Sequence, residues 1–243
     1  MFTVKKLLSI VLSLTILFSM AAVLSAPATV SAASKTGKKY VTYKKITKNI
    51  KKDGITILKG TAKYPKLTAK SKAAKKVNSY FKKTVTKIVK NITKAAKDDY
   101  AGNGKENFTR FNTWYSFDVN IKLTYNAKGK YSFKMVDYEY WMGAHGYTAI
   151  TGHNFSKSTG KRVSNSKLTQ YSGAELKEKI VSALEKEINK EPKKYNSNAL
   201  ESVKQLSVNK FNIWLKGQKI HVMFNQYDIA SYAAGPTELT IKF

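Results

Sequence analysis

Five apolar side chains in strict alternation constrain this chain more than any other feature in it. Phe117, Val119, Ile121, Leu123 and Tyr125 alternate with Ser116, Asp118, Asn120, Lys122 and Thr124. A period of two puts one set on a buried face and the other on a wet one, the pattern of a strand in an antiparallel sheet. The strand is expected over Trp114–Asn126. Ala127-Lys128-Gly129-Lys130 then reads as a hairpin turn, so a partner must return beside it. The returning strand starts with Tyr131, Phe133 and Met135 and changes phase to Val136, Tyr138, Tyr140 and Met142. A phase change inside one strand predicts a β-bulge near Met135–Val136.

Other segments extend this pattern. Tyr40–Ile46 and Ile55–Pro65 read as strands, with Pro65 ending the second because proline cannot donate to a ladder. Val77, Tyr80, Phe81, Val85, Ile88, Ile92 and Ala95 recur at three- and four-residue steps, which predicts a long helix over Ala69–Asp98. Lysines coat the rest of that helix and repel one another, so its apolar stripe must be held by packing. Gly143-Ala-His145-Gly146 turns into a strand over Tyr147–Phe155, and Ser158-Thr-Gly160-Lys161 turns again. Ser172-Gly-Ala-Glu175 matches a capping box. The helix it opens runs to Lys190, with Leu176, Ile180, Val181, Leu184 and Ile188 inward and Pro192 barring continuation. Two strands joined at Lys216-Gly217-Gln218 and a last strand over Thr237–Phe243 complete the reading. The fold class is α+β: antiparallel sheet packed against one long N-terminal helix and a second helix near residues 173–190.

Residues 1–33 carry the pattern of a secretory signal peptide. Lys5 and Lys6 precede an apolar run from Leu7 to Leu24, and Val30-Ser31-Ala32 supplies small residues for cleavage. Left uncleaved, the same run would serve as an N-terminal membrane anchor; either way the remainder lies outside the cytoplasm. The absence of cysteine excludes a disulfide framework and thiolate metal sites and suits a Gram-positive secreted protein. Without Lys5 and Lys6 the chain keeps 42 basic and 15 acidic side chains, a net +27. Only Arg110 and Arg162 are arginines, so bidentate forks are scarce and diffuse point-charge attraction to a polyanion is favoured. The charge is concentrated: Ser34–Glu106 holds 22 lysines against 4 acids. Lys75, Lys76, Lys82, Lys83, Lys87 and Lys90 on the long helix are the candidate polyanion-binding residues. A uniform lysine bias acting only on solubility is the alternative reading of this charge.

Three stretches carry a family resemblance: Gly143-Ala-His145-Gly146 with its following strand, the Thr159-Gly160-Lys161 turn ahead of Leu168, and Tyr227-Asp-Ile-Ala-Ser-Tyr232-Ala-Ala-Gly235-Pro236. They resemble the ectodomain of RsiV-type anti-sigma factors and the non-catalytic N-terminal module of PdaC-type peptidoglycan deacetylases. The resemblance implies a PdaC-like half over 40–142 and an RsiV-like half over 143–243, packed as one module that faces the bacterial envelope. RsiV-type ectodomains are receptors for lysozyme, so a lysozyme-binding decoy or inhibitor is one implied role. Two features oppose a full transfer. Only six residues precede the apolar run, too few for a sigma-binding segment, and no deacetylase domain is expected after Phe243. Typical lysozymes are also basic, and two cationic partners repel unless a local acidic patch meets the ligand.

The enzyme-like candidates are few. Asp137 and Glu139 project to one face of a strand about 7 Å apart, with His145 and Trp141 following. Two carboxylates beside an aromatic suggest chemistry on a wall glycan, as hydrolase or modifying enzyme; a solvated strand face is the plainer alternative. Tyr138, Tyr140, Trp141, His145 and Tyr147 are the candidate ligand-binding residues for glycan or a protein. His145 and His153 lie across one hairpin but lack a third ligand, so no metal and no cofactor is expected. His221 alternates with Ile220 and Val222 and is expected on an exposed strand face. Tyr227, Tyr232, Gly235 and Pro236 are expected to form a corner packed on the core. No Ser/His/Asp spacing or phosphate-cradling loop is present, and secretion argues against nucleic acid. The reading is a secreted or wall-associated, non-enzymatic binding module for anionic wall polymer or peptidoglycan glycan.

Overall fold

A computed structural model describes residues 40–243, and residues 1–33, expected to be a signal peptide, lie outside the described residues. The alternating strand is present as β3 (Tyr115–Ala127), with β4 (Lys130–Tyr140) returning beside it. They belong to a five-stranded sheet in the order β1 (Val41–Lys52), β2 (Ile55–Leu67), β3, β4 and β5 (Tyr147–Ser156). The long helix α1 (Lys72–Asn103) crosses between β2 and β3, so β2 and β3 pair in parallel and the other ladders are antiparallel. The one parallel pair follows from the helix, because a helical crossover returns the chain to the end of the sheet it left. Short helix α2 (Glu106–Thr109) follows α1. The second half of the chain adds α3 (Gly173–Lys190), α4 (Ala199–Gln205) and a three-stranded sheet of β6 (Asn212–Lys216), β7 (Lys219–Phe224) and β8 (Thr237–Lys242). The architecture is α+β.

The two helices are built as their sequences require. Ser71 caps α1 by accepting from the Ala74 N–H, and the buried stripe runs through Val77, Phe81, Val85, Val89 and Ile92. At α3 both bonds of the capping box form: Glu175 N–H to Ser172 Oγ at 3.2 Å and Ser172 N–H to Glu175 Oε2 at 2.7 Å. Leu176, Ile180 and Leu184 are its buried residues. Each helix covers one sheet, giving two apolar clusters, one around Phe81, Phe133 and Phe155 and one around Ile180, Leu215 and Val222.

Two local expectations are corrected. The bulge lies not at Met135–Val136 but on β3 between Leu123 and Tyr125, opposite Phe133 and Ser132. β4 keeps one register throughout: Met135, Asp137 and Glu139 share a face, and the apolar even positions Val136, Tyr138 and Tyr140 belong to the other, which a second sheet approaches. Pro65 does not end β2, which continues to Leu67. Thr68 N–H donates to Tyr40 O, so even positions of β2 face β1, while Pro65 faces the side where pairing with β3 stops at Lys63. No donor is needed there. Two residues on, Asn78 bonds both the N–H and the C=O of Leu67, at 2.7 and 3.0 Å.

The sheets are joined at β5 and β6 by a buried polar bolt. Ser132 Oγ donates to Asn154 Oδ1 at 2.6 Å and accepts from Leu215 N–H at 2.8 Å; Asn154 Nδ2 donates to Ile213 O at 2.7 Å. Gly152 allows the approach, because a Cβ there would lie 1.8 Å from Ile213 O. β5, taken from the sequence as the first strand of the second half, thus completes the first sheet and bonds to the second.

Candidate functional site

The β4–β5 connection gathers the sequence-predicted residues at one end of the molecule. Asp137 lies cross-strand from Val119 and Ala149, and Glu139 from Phe117 and Tyr147. They occupy the sheet face that α1 covers further along. Burial, reinforced by the charge of Glu139, pushes the Asp137 carboxyl up to about 7. Its Oδ1 is buried with no partner. Burial also raises Glu139, opposed by the Trp141 indole, which donates to Glu139 Oε2 at 2.7 Å. Asp137 therefore retains its proton to a higher pH than an isolated carboxyl would.

His145 is held elsewhere. Its Nε2 lies 3.2 Å from Tyr227 Oη, its Nδ1 lies 3.1 Å from Gly146 O, and its ring stacks on Tyr232 at 3.8 Å. Tyr232 Oη donates to the same Gly146 O at 2.9 Å. Neither carboxylate is a partner of His145, so the trio singled out from sequence is a carboxylate pair and a separate histidine–tyrosine clamp. Tyr227 is not packed on the core as expected. It is exposed, with a left-handed backbone (φ 70°) fixed by the bond from Asn225 N–H to Asp228 Oδ2 at 2.7 Å. The same turn covers the free edge of β5, with Asn225 Oδ1 accepting from Ile150 N–H and Gln226 Oε1 from Thr148 N–H.

Four of the eight large apolar side chains exposed among the described residues sit here: Tyr138, Trp141, Tyr147 and Tyr227. Tyr138 lies against Gly146, where a Cβ would come within 2.4 Å of its ring. Tyr140 is half-buried, with its hydroxyl 3.5 Å from Thr113 Oγ1. Tyr147 is raised by burial and by the charge of Asp228.

The other candidates separate cleanly. Lys75, Lys76, Lys82, Lys83, Lys87 and Lys90 are all exposed on α1. Lys90 also borders a groove of about 510 Å³ between β1 and α1, with Lys48, Lys94 and Lys97 around it. His153 lies under α1 rather than beside His145. Its Nδ1 accepts from Arg162 Nη1 at 2.6 Å and lies 3.0 Å from Tyr80 Oη, and burial with the Arg162 charge lowers it to about 3. Among the described residues no group of three His, Asp or Glu side chains converges as a metal would require.

His221 is a correction. It is not on an exposed face: it stacks on Trp214 and bonds Glu238 in a cleft between the two sheets. The alternation with Ile220 and Val222 placed it opposite the α3 core correctly, but alternation alone does not reveal that a second sheet covers that side.

Residues 50–148 match the family described as deacetylase PdaC, and residues 169–243 match DUF3298, a protein family of unknown function. The chain joins a PdaC-type segment to a DUF3298-type segment. This pairing fits a PdaC N-terminal module or an RsiV-like ectodomain. The PdaC-type segment ends at the carboxylates and the glycine turn; the DUF3298-type segment supplies the tyrosines that clamp His145. Among solved structures, a DUF3298 family member from Bacteroides fragilis NCTC 9343 is similar at 19% identity and TM-score 0.57, covering 83% of this chain and 90% of that one. A DUF3298 family protein from Pseudomonas aeruginosa PAO1 is similar at 12% identity and TM-score 0.52, with the same coverage. These likenesses show the fold. A search of curated proteins gives no match.

Proposed function

We propose that this chain is a secreted binding module of the cell envelope, drawn to anionic wall polymer by its lysine surface. The groove between β1 and α1 carries the reading. Lys48, Lys90, Lys94 and Lys97 surround it, and Asp98 is the one acid in its lining. β1 is an edge strand that adds the half-buried Lys48 to the groove wall and carries exposed lysines at Lys44, Lys45, Lys51 and Lys52. Binding by such point charges releases counterions and weakens steeply with salt. No helix among the described residues is long and apolar enough to cross a membrane. The test is retention on purified wall, with and without teichoic acid, across a salt titration. Retention should fall with salt and with removal of the polymer; retention indifferent to both would sink the proposal.

The carboxylate pair favours a second reading, a lysozyme-binding decoy or inhibitor. Asp137 and Glu139 are raised by burial, so a cationic group seated against them would relieve both. The exposed Trp141, Tyr147 and Tyr227 beside them supply contact area for a protein partner. Loss of lysozyme activity on titration with this protein supports that role, and full activity at micromolar protein removes it. The same pair carries the alternative of wall-glycan chemistry, with Asp137 as general acid. Glycan turnover that survives Asp137→Asn with Glu139→Gln would rule this out.

A further inference from the structure

The face of β6–β8 turned away from α3 meets the face of β3 and β4 turned away from α1 across a cleft of about 640 Å³. One wall is a locked stack. The Lys134 Nζ sits 4.5 Å over the Trp214 ring, and the His221 imidazole stacks on the same indole at 5.4 Å with 12° between planes. Both side chains grip Glu238: Lys134 Nζ lies 3.1 Å from Oε2 and His221 Nδ1 lies 2.6 Å from Oε1. Burial alone would raise Glu238, but the hydrogen bonds from His221 and Lys134 outweigh it and hold the carboxyl below its ordinary range. An ionised carboxylate only accepts, so the His221 Nδ1 carries the proton it donates.

The other ring nitrogen, Nε2, is buried without a partner. Asn120 Oδ1, on the β3 wall of the same cleft, is also buried without a partner. Buried polar atoms are rarely left this way, because the desolvation they suffer is uncompensated. Asn120 Oδ1 is an acceptor, and a hydroxyl can both donate to it and bond the imidazole nitrogen in either role, so what the cleft lacks is hydroxyl-type partners. Its rim supplies the opposite chemistry: Lys122 and Lys216 border it, and an adjoining hollow of about 580 Å³ shares Lys216 and His221 and adds Lys219 and Lys242.

We propose that this cleft binds a hydroxylated anion of the polyol phosphate or sugar phosphate class. One hydroxyl donates to Asn120 Oδ1 and another bonds His221 Nε2, and Lys216 with its neighbours holds the phosphate. Lysine point charges suit a phosphate that needs no fixed fork. The site lies across the five-stranded sheet from the groove beside α1 and does not rest on that groove's role.

Calorimetric titration of the folded protein with glycerol 3-phosphate tests the assignment, with glycerol and inorganic phosphate as separate controls. Saturable binding is expected for the ester, with either part alone weaker by about tenfold or more. Asn120→Leu and His221→Phe should each weaken it by about tenfold, Lys216→Glu should weaken it too, and Lys204→Glu, at an exposed position on α4, should leave it unchanged. If His221→Phe lowers the melting temperature, Asn120→Leu carries the test, since its Oδ1 has no partner to lose. A short poly(glycerol phosphate) chain run in parallel distinguishes the sources: tighter binding than the monomer assigns the cleft to polymer, equal binding to a free ester. Absence of saturable binding at millimolar ester overturns the proposal. So does equal binding of inorganic phosphate, or a Lys204→Glu loss as large as that of Lys216→Glu, because either would mean diffuse lysine attraction alone.

Discussion

The two faces of the five-stranded sheet are closed in opposite ways. Under α1 the closure is apolar and dense: Phe81 meets Phe133 at 4.6 Å and Phe155 at 5.6 Å between ring centroids, with Val77, Val85 and Ile92 fully buried. On the other face the second sheet is attached through the Ser132–Asn154 bolt at one edge, and beyond that bolt the sheets part around Trp214, His221 and Glu238. Apolar closure leaves little room for a ligand. Polar closure at one seam leaves an enclosed cleft whose walls carry unmatched hydrogen-bonding atoms, whereas the groove on the apolar side is confined to its margin between β1 and α1.

The contrast can be broken first at its strongest points. Phe81→Ala should cost about 3–5 kcal/mol in chemical denaturation, and Ser132→Ala about 1–3 kcal/mol through the partners it leaves unsatisfied. A larger loss from Ser132→Ala would mean that the polar seam, not the helix face, holds the fold. The helix face also contains His153, whose value near 3 lies below its ordinary 6.5. The neutral form is the one the fold holds, so this contribution is present above pH 6.5 and is lost as pH falls from 6.5 toward 3. His153→Gln should therefore flatten the acid limb of a stability-versus-pH curve, and an unchanged limb would remove the assignment.

Beyond the reach of α1 the same face bears Asp137, and there the sign reverses. Its carboxyl is raised from 3.8 to about 7, so the protonated form is favoured in the fold and the advantage is lost as pH rises through 7. Asp137→Asn should gain stability over the wild type as pH climbs, with the full gain above pH 7; melting temperatures at acid and alkaline pH would show it. The smallest effect is expected at Tyr227, where φ is 70°. Tyr227→Gly relieves a left-handed backbone but loosens the clamp on His145, for a net change within about 1 kcal/mol. A larger loss would make the clamp a main support of the β5 edge.

Much of the helix face was legible in the sequence because periodicity encodes it: the α1 stripe, the β3 alternation and the α3 capping box all correspond to buried sets or formed bonds. The family resemblance was carried in part by Gly143–Gly146 and Tyr227–Pro236, and the structure brings these two stretches into contact, with His145 stacked on Tyr232. What the sequence did not show depended on contacts between distant segments. Pro65 was tolerated because β3 stops short of it. The even positions of β4 were apolar because another sheet approached, and this resembled a bulge. His221 was half of an amphipathic strand whose wet side turned out to be enclosed. The grouping of Asp137 and Glu139 followed from strand geometry, whereas their separation from His145 depended on a turn whose path no local pattern specifies.

The central claim is that this protein meets the envelope through localised lysine electrostatics. Co-sedimentation with purified wall tests it most directly, comparing the wild type with a Lys90→Glu, Lys94→Glu, Lys97→Glu variant between about 50 and 200 mM salt. The wild type should bind at low salt and be released steeply as salt rises, while the variant should bind weakly and with a shallower salt slope. Equal binding and equal slopes for the two proteins would contradict it.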